Sequence, residues 1–176
     1  MEQLLLSKKN STLISKSIII DLVLLGVIYL LPTISHFLVF PLYLLEPMRI
    51  VIFASIILSR NKYNSCLLAV TIPLFSYFFG AHPVFLKSIL IGIELLINVL
   101  LFWTLLQRWK NVFYVTFISI FVAKLVYYAL KYMCVTFGWI HLDIISTSIP
   151  LQILVACIIS GIMFFSKVTD LDPTRR

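Results

Sequence analysis

The sequence predicts an all-α, polytopic membrane protein of about six transmembrane helices, with a proline-broken outer loop after the first. Three observations lead there. Hydrophobic residues make up 61% of the 176 and charged residues 12%, with a mean hydropathy of +1.08, whereas soluble domains are about one quarter charged. The apolar residues fall into long runs separated by short polar turns. At about 20 apolar residues per spanning helix, the chain accommodates five or six spans and little else. A single transmembrane domain over residues 1–176 is therefore expected, with the lipid bilayer as its solvent and no soluble catalytic domain.

The first span is expected from about Ser15 to Leu31, ending at Leu31-Pro32 because the residue before a proline is driven out of helical conformation. Asp21 lies within it. Leu38 to Ser59 is long enough to cross, but Pro41 and Pro47 interrupt its first half, so a re-entrant or unwound piece followed by a helix is expected. Irregular backbone at membrane depth persists only against protein or a water-filled cavity, which makes Leu31–Arg49 the expected cap of a cavity. Arg60–Asn64 reads as a polar turn, Ser65–Gly80 as the third span and Pro83–Leu106 as the fourth. Gln107–Asn111 is the next turn. The fifth span is expected over Val112–Tyr132, a mixed loop over Cys134–Ser146, and the sixth span over Ile149–Phe165, before a short polar tail.

The net charge of +7 is explained by topology rather than by nucleic acid, which is not expected as a partner. With a cytoplasmic N-terminus, Lys8, Lys9, Lys16, Arg60, Lys62, Arg108, Lys110, Lys167, Arg175 and Arg176 all fall inside, ten of the fourteen basic residues. Both termini are then cytoplasmic. The N-terminal residues lack the order of a signal peptide. Cys66, Cys134 and Cys157 are far apart and follow no metal-ligand spacing, so they read as packing residues; neither a metal nor a cofactor is expected.

The remaining basic residues, Arg49, Lys87, Lys124 and Lys131, lie within spans. At 100° per residue Lys87, Glu94 and Asn98 share a sector of about 40° on the fourth span. Lys124, Tyr128 and Lys131 form a second stripe on the fifth. A charge facing lipid costs at least ~2.5–3.5 kcal/mol at the bilayer centre, so both stripes should face a bundle interior or cavity. Two readings follow: a structural ion network in which Glu94 pairs with a lysine while Lys131 snorkels, or a site that leaves positive charge for a carboxylate- or phosphate-bearing ligand. Glu46 and Arg49 flank a helix start, as a capping pair or as part of an outer gate in which Arg49 contacts ligand by its planar fork. His36 and His82 lie near outer span ends, as hydrogen-bonded interfacial residues or as ligand contacts. The substrate-binding candidates are thus Lys87, Glu94, Asn98, Lys124, Tyr128, Lys131, Arg49, Glu46, His82 and His36; no catalytic set stands out, and an enzyme is not expected.

Leu31-Pro-x-x-Ser35-His36, Pro41-Leu-Tyr-x-Leu-Glu46-Pro-Met-Arg49, His82-Pro83-x-x-x-Lys87, Glu94-x-x-x-Asn98 and Lys124-x-x-Tyr-Tyr-x-x-Lys131 resemble a group of bacterial membrane proteins associated with the substrate-binding S components of energy-coupling-factor vitamin transporters. The resemblance implies a small-molecule ligand held between the outer halves of the helices beneath the first loop. It also implies a transmembrane scaffold subunit and separate ATPase subunits as partners; the chain has no nucleotide-binding loop of its own. Such subunits dock through small residues at i, i+4 on the first helix; here Ile18–Leu31 offers Gly26, with Ser17 beside Asp21 lower down. Two alternatives remain. Leu30-Leu-Pro-Thr-Ile-Ser-His36 resembles the loop of undecaprenyl-diphosphate phosphatases, implying a lipid-phosphate enzyme. A structural membrane partner of the cell-envelope machinery is the other.

Overall fold

The computed structural model describes residues 18–27, 45–78, 85–139 and 148–166. Among these residues there are six α-helices and no strand: α1 (Ile18–Val27), α2 (Pro47–Ser59), α3 (Lys62–Phe78), α4 (Phe85–Arg108), α5 (Val112–Thr136) and α6 (Ile149–Phe165). Helices α4 and α5, with 24 and 25 residues, are long and apolar enough to cross a membrane. Their lengths, about 36 and 38 Å, exceed the ~30 Å hydrocarbon layer. The apolar helices α1, α2 and α6 are shorter.

The helix boundaries follow from local chemistry. Pro47 occupies the first turn of α2, where its missing N–H is harmless. It also bars Glu46 from the right-handed helical region, and Glu46 takes the left-handed one at φ 51°, ψ 57° while its carbonyl accepts the Arg49 N–H at 2.9 Å. The Glu46 side chain does not cap the helix. Helix α3 begins at Lys62, earlier than the expected Ser65, because the Asn61 side chain accepts the Tyr63 N–H at 3.0 Å and its carbonyl accepts the Ser65 N–H at 3.3 Å. Helix α5 starts on an Asn111 side chain that accepts the Phe113 N–H at 3.1 Å.

The far end of α5 departs from the sequence reading. Helix continues through Cys134, Val135 and Thr136, which the reading gave to a loop, and stops where Gly138 turns left-handed at φ 71°. The Gly138 and Trp139 N–H groups then close onto the Val135 and Cys134 carbonyls at 3.0 and 2.9 Å, satisfying acceptors that the helix end leaves open. Helix α6 matches its expected span, Ile149–Phe165. Residues 28–44, including the proline-broken loop with Pro32, His36 and Pro41, lie outside the described residues, as do 79–84 with His82.

Neighbours in sequence are neighbours in space: α3 packs on α4, α4 on α5 and α5 on α6, while α2 packs on both α3 and α6 and so closes a ring of five helices. Pro73 deprives the Ala69 carbonyl of its donor four residues on. Gly92 stands opposite that break, where a Cβ would lie 3.9 Å from both the Ala69 oxygen and the Pro73 ring. The core within the ring is built on Ile52, Ile56, Leu68, Ile72, Phe102 and Val115, with Phe53 edge-on to Phe102 at 5.7 Å. Helix α1 joins through Leu24 and through Asp21, which is buried and accepts a hydrogen bond from Asn64 at 2.6 Å.

The bundle exposes large apolar side chains and buries several charged and amide ones around a core that is itself apolar. Leu22, Phe78, Phe121, Leu125, Ile153 and Phe165 are more than half exposed or nearly so, at 63%, 76%, 53%, 55%, 47% and 82%. Arg49, Glu94, Asn98, Lys131 and Gln152 are buried.

Candidate functional site

Four charged side chains from three helices converge inside the bundle. The Arg49 guanidinium donates one nitrogen to the Glu46 carboxylate and another to Glu94. Lys124 Nζ donates to the other oxygen of Glu46 and lies 4.0 Å from Glu94. The charges alternate around a closed ring, Arg49–Glu46–Lys124–Glu94, contributed by the start of α2, the middle of α4 and the middle of α5. Its formal charge is zero. In a low-dielectric interior that balance is what makes the cluster tolerable, since isolated charges there lose several kcal/mol of solvation each.

The backbone explains why the ring can close. The left-handed turn at Glu46 directs its side chain away from the N–H groups of α2, and Arg49, one turn on, shares that side. A left-handed non-glycine residue costs of order 1–2 kcal/mol, so the surrounding contacts hold Glu46 in this conformation; strain of this kind gathers at functional positions. The ring is not sealed on all sides. The side chains of Arg49 and Glu94 are 3% and 8% exposed, those of Lys124 and Glu46 17% and 20%. Arg49 Nε and Asn98 Oδ1 are buried with no hydrogen-bond partner among the described residues.

The structure separates residues that helical periodicity had aligned. Glu94 and Asn98 are buried one turn apart on α4, but Lys87 lies two turns from Glu94, is partly exposed and makes no ion pair among the described residues. Lys131 likewise does not reach the ring: it is buried two turns beyond Lys124 with its ammonium 5.9 Å from the centre of the Tyr127 ring, and it does not snorkel outward. Between Lys87 and Lys131 the two helices are joined by an apolar cluster of Leu86, Leu90, Tyr127, Leu130 and Cys134. The expected excess of cations around Glu94 is therefore corrected: Arg49, not a lysine alone, is its partner, and the site is charge-balanced. His36 and His82 lie outside the described residues.

Tyr128 points to α6, where its hydroxyl accepts a hydrogen bond from Gln152 Nε2 at 2.6 Å. Sequence reasoning did not single out Gln152. Its signal was available, since an amide within an otherwise apolar run raises the same burial question as Glu94 does. A groove of about 180 Å³ runs between α5 and α6 past Lys124, Tyr128 and Gln152. No group of three or more His, Cys, Asp or Glu side chains among the described residues could hold a metal ion. Comparison with protein-family models, curated proteins and solved structures gave no significant match to this chain.

Proposed function

We propose that this chain is a six-span protein of a bacterial inner membrane, both termini cytoplasmic, that binds a small anionic or zwitterionic metabolite for uptake. Energy is supplied by separate scaffold and ATPase subunits. The observation that carries the reading is a charge ring buried within a bundle whose outer surface is apolar. A purely space-filling role does not account for the partial exposure of Glu46 and Lys124, or for two buried polar atoms, Arg49 Nε and Asn98 Oδ1, without partners among the described residues. Arg49 Nε is a donor on the ring itself and Asn98 Oδ1 an acceptor one helical turn from Glu94, groups that a polar ligand head can use.

Closure of the ring favours a second reading, a structural ion network, because every charge in it already faces its opposite. Native mass spectrometry of the protein released from mild detergent distinguishes them. The binding reading expects a small molecule retained by the wild type and lost from Lys124→Met while the variant stays folded; repeated release of bare protein from membranes of the native host removes it. Co-purification with an ATPase-containing complex tests the coupling.

A further inference from the structure

The groove between α5 and α6 differs from an ordinary lipid-facing crevice. Its flanks Phe121, Leu125, Ile149 and Ile153 are 53%, 55%, 54% and 47% exposed, so it opens sideways onto the apolar exterior of the bundle rather than toward a polar end. Yet Lys124 and Tyr128 stand one turn apart along its α5 wall, where side chains at i and i+4 are neighbours. Of the three ammonium hydrogens of Lys124, Glu46 takes one, and Glu94 stands at 4.0 Å. Tyr128 accepts from Gln152, which leaves its own hydroxyl hydrogen to donate, with no acceptor for it among the described residues. Two donor side chains thus stand one turn apart in the wall of an otherwise apolar groove. From Phe117 to Tyr128 the α5 wall is about 16 Å long. Its volume, about 180 Å³, is below the ~300–1,000 Å³ of pockets for drug-sized ligands and suits one narrow chain.

We infer that the groove binds a single-chain amphiphile entering sideways from the bilayer, its carboxylate held by Lys124 and Tyr128 and its apolar chain lying along α5 and α6. This deepens the binding reading above and rests on it: the carboxylate reaches the exposed edge of the charge ring through Lys124, and the chain supplies apolar area that the ring cannot. A carboxylate, with two oxygens, matches the two donors in number.

The test uses the full-length protein in nonionic detergent with decanoic acid bearing a terminal diazirine, cross-linked by light and mapped by peptide mass spectrometry. Label is expected on α5 and α6, competed by unlabelled decanoate but not by butyrate at equal concentration. The methyl ester, which lacks the anionic head, should label about tenfold less, as should the acid with Tyr128→Phe. Ile153→Trp, which fills the groove from a lipid-facing position without touching the ring, should abolish labelling at unchanged melting temperature. Equal labelling by acid and ester, competition by butyrate, or labelling indifferent to Ile153→Trp overturns the inference. If a polar metabolite is retained by the wild type and lost from Lys124→Met while decanoate does not bind, the general binding function stands and the amphiphile assignment fails.

Discussion

Two regions hold four of the chain's basic and acidic residues each and solve the placement of charge in opposite ways. In the ring formed by Glu46, Arg49, Glu94 and Lys124 the charges are buried or nearly so and sum to zero. At the turns between α2 and α3 and between α4 and α5, Arg60, Lys62, Arg108 and Lys110 are exposed and carry only positive charge. The difference is one of dielectric. Solvated charges repel weakly and need no partner, so like charges can gather at the helix ends. The charges of the ring, removed from water, are held by their balance.

The comparison is broken most severely by unbalancing the ring. Arg49→Met leaves Glu46 and Glu94 facing Lys124 alone, an excess buried carboxylate, and should cost about 3–5 kcal/mol. Adding Glu94→Leu removes the orphan and should recover much of that loss, leaving the Glu46–Lys124 pair intact. Chemical denaturation of the single and double variants measures the coupling. Additive losses would mean that Arg49 and Glu94 are not partners.

A smaller effect distinguishes the two lysines of α5. Lys124 is partly exposed and shares Glu46 with Arg49, so Lys124→Met should cost about 1–2 kcal/mol of stability, together with a loss of ligand affinity of about tenfold or more. Lys131 is 2% exposed and two turns away, so Lys131→Met should alter melting temperature without altering affinity. Thermal shift and ligand binding measured on the same two preparations decide this; affinity lost equally from both would extend the site to Lys131.

How much of this was legible beforehand divides along the range of the interaction. The Glu46–Arg49 contact is three residues long and follows from helix spacing, as does the shared face of Glu94 and Asn98. Periodicity fixes direction around a helix but not which neighbour fills that direction. The Arg49–Glu94 pair spans 45 residues and depends on α2 lying across the bundle from its place in the chain. The same limit put Lys87 with Glu94 and Lys131 with Lys124: the stripes were read in angle, whereas each lysine stands two turns along its helix from the ring, beside the cluster that holds Leu90 and Cys134. Helix α6 was bounded by its apolar run and its proline. The end of α5 was missed because Cys134-Val-Thr136 carries no stop signal; Gly138, two residues on, did.

A third prediction sharpens the contrast at its weakest polar contact. Tyr128→Phe removes the acceptor of Gln152 Nε2, a 2.6 Å hydrogen bond between α5 and α6. The expected loss is about 1 kcal/mol, seen as a modest fall in melting temperature.

The least effect on stability is expected at the exposed end, and there the consequence is of another kind. Replacing Arg60, Lys62, Arg108 or Lys110 singly by Gln should change stability by no more than about 0.5 kcal/mol, since each is solvated and none is in an ion pair among the described residues. Replacing all four should still leave the folded bundle near its original stability. In the proposed topology their role is orientation: basic residues in short turns are retained on the cytoplasmic side during insertion. Reporter fusions after Asn64 and Asn111 should read cytoplasmic in the wild type, and a fusion after Ala81 external. In the fourfold variant the cytoplasmic signal at Asn64 and Asn111 should fall and become mixed. A wild-type fusion at Ala81 that reads cytoplasmic would mean that α3 does not cross, and the orientation argument would then hold for α4 and α5 alone.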